Sequence, residues 1–335
     1  MASLIVNLIS ITHKFQIGVL NKSNSKDAEI QIAFIVLCFG GSYVADRLYD
    51  EITKQNDGSG LIMMEIMIRD DFDLEKIASS GQCFRAKLLD SGMFRFVSGE
   101  HVIYIKEAGE HKFSVSCTDD EWKEIWSSYF DLDRSYSSLY YEEREKHDFV
   151  RRAMECGRGI RILRQDPWEM LVTFIISQRK SIPAISRSVE ALAEKYGHPI
   201  KTDYETLYSF PSPREMACAS ENELKECSLG YRAPYIYDAV QKVSSGRLDL
   251  YAIAGFDDAA LLQELQTVHG VGKKVANCVS LFGYGRMARV PVDVWIKRAI
   301  EEDCCGEDPF PLFEDSAGII QQYIFYYMKR RQIQK

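Results

Sequence analysis

Leu261-Leu262-Gln263-Glu264-Leu265-Gln266-Thr267-Val268, His269-Gly270-Val271-Gly272 and Lys273-Lys274-Val275-Ala276-Asn277-Cys278-Val279 follow one another without a break. The apolar spacing reads as two amphipathic helices meeting across a four-residue turn, a helix–hairpin–helix within 257–283. Gly270 and Gly272 let the backbone turn sharply and let a ligand come close to it. The second helix begins directly after Gly272. Its first N–H groups and the positive end of its dipole therefore face outward, which is a seat for a phosphate. Taken alone, a short Gly-Val-Gly corner serves packing more often than binding.

The continuation shifts that balance. Arg289-Val290-Pro291-Val292-Asp293-Val294-Trp295 places a carboxylate nineteen residues after Lys274. From Gly270 to Ile300 there are six basic residues (Lys273, Lys274, Arg286, Arg289, Lys297, Arg298) and one acid, Asp293, a local balance of +5. A helix N-terminus and the neighbouring Lys273 both disfavour an ammonium at Lys274, which favours the neutral, nucleophilic amine. A carboxylate at Asp293 can stabilise positive charge that develops on a sugar ring and can move protons. Asp293 also suits a plain helix N-cap, and Lys274 a solvated surface lysine. The two readings of Asp293 are compatible.

Outward from this block, the chain divides into a strand-rich part and a helical part. Cys83–Leu89, Met93–Val97, Val102–Lys106 and Lys112–Val115 read as strands of an antiparallel meander, separated by Gly-containing turns. Asp119 and Asp120 offer a cap for a helix through Trp126. Helices are expected at Trp168–Ser177, Ile182–Tyr196, Ser220–Glu226, Ala233–Ser244, Asp257–Val268, Lys273–Phe282 and Asp293–Glu302. The expected class is α+β: an antiparallel sheet domain over 63–148, followed by an all-helical domain over 149–335. Residues 1–62 fit neither part and read as an unassigned extension, with Met63, Met64 or Met67 as plausible starts.

Composition narrows the classes. In 335 residues, 46% hydrophobic content supports real cores. Nine scattered cysteines without a C-x-x-C pair predict no zinc site, no iron–sulfur cluster and no disulfide framework. A reducing compartment is the default. The apolar run Ile30–Val44 is shorter than the roughly 20 residues that span a bilayer, so no membrane partner is expected. A net charge of −8 argues against indiscriminate nucleic-acid binding, but phosphate contacts need only a local patch such as 270–300.

The hairpin followed by Val-Asp resembles the helix–hairpin–helix superfamily of DNA base-excision glycosylases. Members that also cut the backbone carry a lysine where Lys274 stands. Four further blocks narrow the resemblance to 8-oxoguanine DNA glycosylase/lyases: Ser79-Ser80-Gly81-Gln82-Cys83-Phe84-Arg85, Arg164-Gln165-Asp166-Pro167, Leu229-Gly230-Tyr231-Arg232-Ala233 and Ala317–Phe325. It spans about Asp71 to Phe325. The resemblance implies Lys274 as nucleophile and Asp293 as its carboxylate partner. It assigns the Gly81 carbonyl to the N7–H that distinguishes 8-oxoguanine from guanine, and Gln321 to the pairing edge of the base. Phe325 and Cys278 would sandwich the extruded ring, and Tyr231 would wedge into the duplex. Arg232, Arg179, Lys273, Gly270 and Gly272 would meet DNA. Implied too are duplex DNA bearing an oxidised purine as partner, a monomer, and no catalytic metal or redox cofactor. A structural monovalent cation on the hairpin carbonyls of His269 and Val271 is compatible with the resemblance. The location would be the cytoplasm with the nucleoid in a bacterial-type cell, or the nucleus in a eukaryote.

The sequence departs from eukaryotic members at Arg179 and Ala184, where those use an Asn and an Arg to read the opposite cytosine. It departs again at Trp295, where a His is familiar. Two other readings stand beside this one. A monofunctional alkylpurine glycosylase would use Asp293 and water, but that subfamily lacks the lysine. A non-catalytic hairpin module would need neither Lys274 nor Asp293.

Overall fold

The computed structural model describes residues 63–333. The extension 1–62, with its apolar run and Cys38, lies outside the described residues. The chain runs β1 (Met64–Met67), α1 (Leu74–Ser79), β2 (Lys87–Leu88), β3 (Phe94–Ser98), β4 (His101–Gly109) and β5 (Lys112–Val115). The antiparallel sheet has the order β1-β5-β4-β3-β2. Alternation puts Phe96, Ile103, Ile105, Phe113 and Val115 on its buried face. Against that face packs α2, which runs from Asp119–Glu121 through a π-helical Trp122–Trp126 to Ser127–Tyr129. Tyr129 and Phe130 meet Phe96 edge to face, Phe130 also meets Phe72, and Trp126 stands edge to face on Tyr129.

Three expectations are corrected here. The cap of α2 is Thr118, one residue earlier than Asp119. The edge strand β1 was not expected. The stretch Cys83–Leu89 is a strand only at Lys87–Leu88, because Gln82–Arg85 form a buried strap held by side-chain hydrogen bonds.

The helical part comprises α3 (Tyr136–Glu143), α4 (Asp148–Gly157), α5 (Pro167–Ile176), α6 (Ile182–Tyr196), a small hairpin β6 (Pro199–Lys201) and β7 (Thr206–Tyr208), and α7 (Glu221–Glu226). It continues with α8 (Ala233–Ser244), α9 (Asp258–Leu265), α10 (Lys273–Tyr284), α11 (Val294–Asp303) and α12 (Ala317–Ile333). Local chemistry sets these limits. Asp166 caps α5 with Pro167 at its first position, Ser220 closes a capping box on α7, Asp257 caps α9, and Gly285 in the left-handed region ends α10. Among the described residues no helix is long and apolar enough to cross a membrane.

Arg161 ties the two parts together. It is fully buried, and its guanidinium donates to the carbonyls of Phe130 (2.9 Å), Asp71 (2.9 Å), Asp131 (2.5 Å) and Arg134 (2.6 Å) and to the Asp70 carboxylate (3.0 Å). It lies over the Tyr136 ring at 4.2 Å. Every face of the fork is thereby satisfied, which a buried cation requires.

Candidate active site

Helix α5 is buried along its whole length and packs beside α10. Its Phe174 stacks on Phe282 at 5.4 Å, and the Lys274 Nζ stands 5.3 Å over the same Phe174 ring. Lys274 thus leaves the first turn of α10 toward an apolar wall, while Lys273 is exposed. Cys278, one turn further on, is buried. Burial pushes its thiol up, and the charge of Lys274 partly offsets this.

Asp293 caps α11. Its Oδ1 accepts from the N–H groups of Trp295 (2.9 Å) and Ile296 (3.0 Å). Burial raises this carboxyl above the ordinary aspartate range, against those backbone bonds and the charge of Lys274. Lys274, Cys278 and Asp293 therefore form one electrostatic group.

A second group lies on the strap and α12. Gly81 has φ +81°, and a Cβ built there would sit 3.0 Å from Cε1 of Phe325 and 3.6 Å from Cδ1 of Ile182. Only glycine brings the backbone this close to the ring. The strap is fixed from several sides. Gln322 Nε2 donates to the Ser80 carbonyl at 2.6 Å. Gln82 Nε2 donates to Ser80 Oγ (2.9 Å) and the Arg161 carbonyl (2.8 Å), and its Oε1 accepts from Leu163 N–H at 2.8 Å. Gln165 Nε2 reaches the Gln82 carbonyl at 3.0 Å. Gln82 and Gln322 are positioning residues to which sequence reasoning assigned no role, although Gln82 lies inside the Ser-Gly-Gln block. Gln321, one turn before Phe325, is 4% exposed, and its Oε1 has no hydrogen-bond partner among the described residues. Leaving such an acceptor buried and unpaired costs about 1–3 kcal/mol. The two groups are linked where Gly318 of α12 packs against Leu281 of α10 and the carbonyls of Met287 and Arg289.

The hairpin and the wedge share a third framework. Gly272 caps α10 without a side-chain bond, leaving the first N–H groups open. Gly270 has φ +79°, and a Cβ there would collide with the Tyr235 ring at 2.4 Å. From α8, Asp238 accepts from His269 N–H (2.8 Å), while Lys242 donates to the Thr267 carbonyl (2.6 Å). Gln178 Nε2 donates to the Gly270 carbonyl at 3.1 Å, and the Gln178 carbonyl accepts from Tyr231 OH (3.2 Å) and Arg232 Nε (2.9 Å) and Nη2. Tyr231 is 52% exposed, with Arg232 stacked on its ring at 4.4 Å. Arg232 is 7% exposed and also donates to the Leu229 carbonyl, so its guanidinium holds the 177–181 loop. Arg179 is exposed at φ +51° in that loop. Ala184 lies in the first turn of α6, and Trp295 packs against the helical core.

A family profile described as "8-oxoguanine DNA glycosylase, N-terminal domain" matches residues 66–171, and one described as "HhH-GPD superfamily base excision DNA repair protein" matches residues 172–308. The structure is similar to that of MBOgg1 in complex with a low-affinity DNA ligand. Identity is 35% and the TM-score 0.76, covering 82% of this chain and 96% of that one. It is also similar to the Clostridium acetobutylicum 8-oxoguanine glycosylase/lyase in complex with DNA containing cytosine opposite 8-oxoG, at 30% identity and a TM-score of 0.73, covering 80% and 98%. A "Probable N-glycosylase/DNA lyase" of Methanothermobacter thermautotrophicus is 28% identical over 297 residues, 78% of this chain and 94% of that one. Sheet, hairpin, lysine and capping aspartate together define a helix–hairpin–helix base-excision glycosylase. Within that class, the chain belongs to the family of 8-oxoguanine DNA glycosylase/lyases.

Proposed function

We propose that this protein excises 8-oxoguanine from duplex DNA and then cuts the strand at the resulting site, with Lys274 as nucleophile. The observation that carries the reading is the grouping of Lys274, Cys278 and buried Asp293 at the start of α10 and α11. The open N–H groups after Gly272, with Lys273, bind phosphate. Tyr231 fills the stack as the lesion turns out, which costs a few kcal/mol. The flipped base lies against Phe325 and Cys278, its N7–H donates to the Gly81 carbonyl, and Gln321 Oε1 gains the partner it lacks.

Neutral Lys274 attacks C1′, the C1′–N9 bond breaks with its electron pair going to the base, and the proton that the new C1′-bound ammonium releases is taken up by the departing base. Asp293 stabilises the positive charge on the sugar. Ring opening gives an imine between Lys274 and C1′. Loss of a C2′ proton then expels the 3′ phosphate by β-elimination. A monovalent cation on the His269 and Val271 carbonyls suits a turn whose Gly270 carbonyl is already taken by Gln178. It would add positive charge beside a phosphate, and no step runs through it.

The test is borohydride trapping on a duplex with one 8-oxoguanine. The wild type should form a covalent complex and Lys274→Gln none. Lys273→Gln should still trap, with weaker and less salt-dependent binding. Undiminished trapping by Lys274→Gln would remove Lys274 from the role.

A further inference from the structure

Lys180 joins three segments through one nitrogen. Its ammonium donates to Ser188 Oγ on α6 and to the Ser228 carbonyl at 2.7 Å, just ahead of Tyr231. The 177–181 loop, α6 and the turn that carries Tyr231 are thereby pinned together. An ammonium has three donors, and two are spent here on neutral oxygens. Among the described residues no third acceptor and no carboxylate partner is found for it. The backbone on both sides of this bridge is left-handed, at Arg179 (φ +51°) and Ser228 (φ +59°), a conformation that non-glycine residues hold only at a cost.

The charged neighbours of Lys180 are cations. Partial burial, with the charges of Arg232 and Arg187, pushes its ammonium below the ordinary lysine range. Arg232 is spent on the Gln178 and Leu229 carbonyls. Arg187 lies on α6 one turn beyond Ala184 and is exposed, and its guanidinium has no hydrogen bond or ion pair among the described residues. The acid one turn further on, Glu190, is the natural helix partner for Arg187. It is held instead by Arg85 (3.1 Å) and Arg95 (3.8 Å). Arg179 is exposed as well. Arg179, Lys180, Arg187 and Arg232 thus gather about one loop, and none is paired with a carboxylate among the described residues. Such a gathering repels itself until an anion joins it.

We propose that Lys180 and Arg187 bind one phosphate of the DNA strand opposite the lesion, through the remaining Lys180 N–H and the Arg187 fork. The inference rests on the reading in which Arg179 meets the opposite base, since the next residue after a base contact reaches the backbone of the same strand. A guanidinium fork matches a phosphate edge, and an ammonium serves it as a point charge. The lesion strand has its own seat at Gly272 and Lys273, on the other side of Gln178. Because Lys180 already holds the Ser228 carbonyl, a phosphate bound there fixes the loop and the Tyr231 turn against one strand.

The test is equilibrium binding of the full chain to a duplex with a tetrahydrofuran abasic analogue opposite cytosine. A neutral methylphosphonate replaces, in turn, each phosphate that flanks the opposite base, and then each one that flanks the analogue. One position on the opposite strand should weaken wild-type binding by about threefold or more. Arg187→Gln should weaken binding to the unmodified duplex by a similar factor and lower the salt slope by about 0.9. It should also be indifferent to the methylphosphonate at that one position and keep its sensitivity elsewhere. Arg187 is exposed and without a partner, so this variant should fold as the wild type does; Lys180→Gln should show the same loss of coupling. A wild type indifferent at every opposite-strand position, or an Arg187→Gln variant as sensitive as the wild type at all of them, would overturn the proposal. Coupling of Arg187 to a phosphate of the lesion strand would overturn the strand assignment. Borohydride trapping of the wild type keeps the two readings apart. Trapping without a coupled phosphate sinks this inference alone, whereas no trapping at all sinks the reading on which it rests.

Discussion

On the proposed reading, Asp293 carries a catalytic duty beside its cap, and the two pull its charge in opposite directions. As an N-cap it needs only an acceptor at Oδ1, which Asn supplies as well. As a stabiliser of a cationic sugar it must be ionised, yet burial raises its carboxyl. A raised aspartate contributes stability below its unfolded value and loses it as pH rises through the folded one. At neutral pH the ionised form is therefore held at a cost to the fold. Asp293→Asn should melt at the same temperature as the wild type or a few degrees higher. Its single-turnover excision should fall by about two orders of magnitude or more. Wild-type excision should also rise with pH through a value above the usual aspartate range. Excision by Asp293→Asn at the wild-type rate would leave the residue a cap and nothing else.

At the scale of elements, the hairpin's two glycines are not equivalent. Gly270 needs both its left-handed backbone and the missing Cβ, because Tyr235 occupies that space; Gly272 is extended with open space around it. Gly270→Ala should cost about 2–4 kcal/mol in denaturant unfolding and displace Tyr235 from the hairpin. Gly272→Ala should stay within about 1 kcal/mol in stability while weakening DNA binding at the phosphate seat. Equal stability losses would refute this division.

On the proposed reading, the 177–181 loop meets the base opposite the lesion. Ala184 has no donor, and Arg232 is turned to the Gln178 and Leu229 carbonyls. Exposed Arg179 remains to read cytosine acceptors. Excision should favour cytosine by one or two contacts, each worth about 1–3 kcal/mol. Arg179→Ala should flatten rates across four duplexes that differ only at that base. A preference of several hundredfold that survives the substitution would place the reader elsewhere.

Helix limits were legible in the sequence wherever the signal is local. Ile182–Tyr196 and Ala233–Ser244 have the predicted bounds, and Asp166, Ser220, Asp257 and Asp293 cap the helices they precede. What was not legible depends on distant partners. Strand β1 exists because Ile66 pairs with Phe113, and the strap leaves the sheet because Gln82 bonds to Leu163. The candidate site residues were read from their blocks, and the structure brings Lys274 near Cys278 and Asp293, and Gly81 near Phe325. The unpaired Gln321 oxygen needed the packing of several elements and left no sequence mark.

At the scale of the whole molecule, stability against pH should be shaped by two carboxyls displaced in opposite directions. Asp70 accepts from Tyr136 and Ser137 N–H groups (2.6 and 2.9 Å) and from Arg161 (3.0 Å), joining the start of the sheet part to the helical part. Those bonds hold its carboxyl at about 2 against an ordinary 3.8, although burial works the other way. A lowered carboxyl contributes stability above its unfolded value and loses it as pH falls through the folded one. The Asp70 contribution is therefore complete above about pH 4 and gone near pH 2. Since the group is partly solvated, it amounts to roughly 1–2 kcal/mol. Glu169 has the opposite sign. With its carboxyl at about 7 against an ordinary 4.5, the fold has its full stability below about pH 4.5 and loses it as pH rises through 7. The loss is on the order of 2–3 kcal/mol for a buried group. Thermal melts of wild type, Asp70→Asn and Glu169→Gln from pH 3 to pH 9 separate the two. Asp70→Asn should melt several degrees lower than wild type at pH 6 and converge with it toward pH 3. Glu169→Gln should match wild type near pH 4 and melt higher at pH 8, the gap opening between those values. A Glu169→Gln variant that melts lower than wild type at pH 8 would mean that the charge of Arg85 outweighs burial at the ionised carboxylate. That result would contradict the assigned sign of its shift.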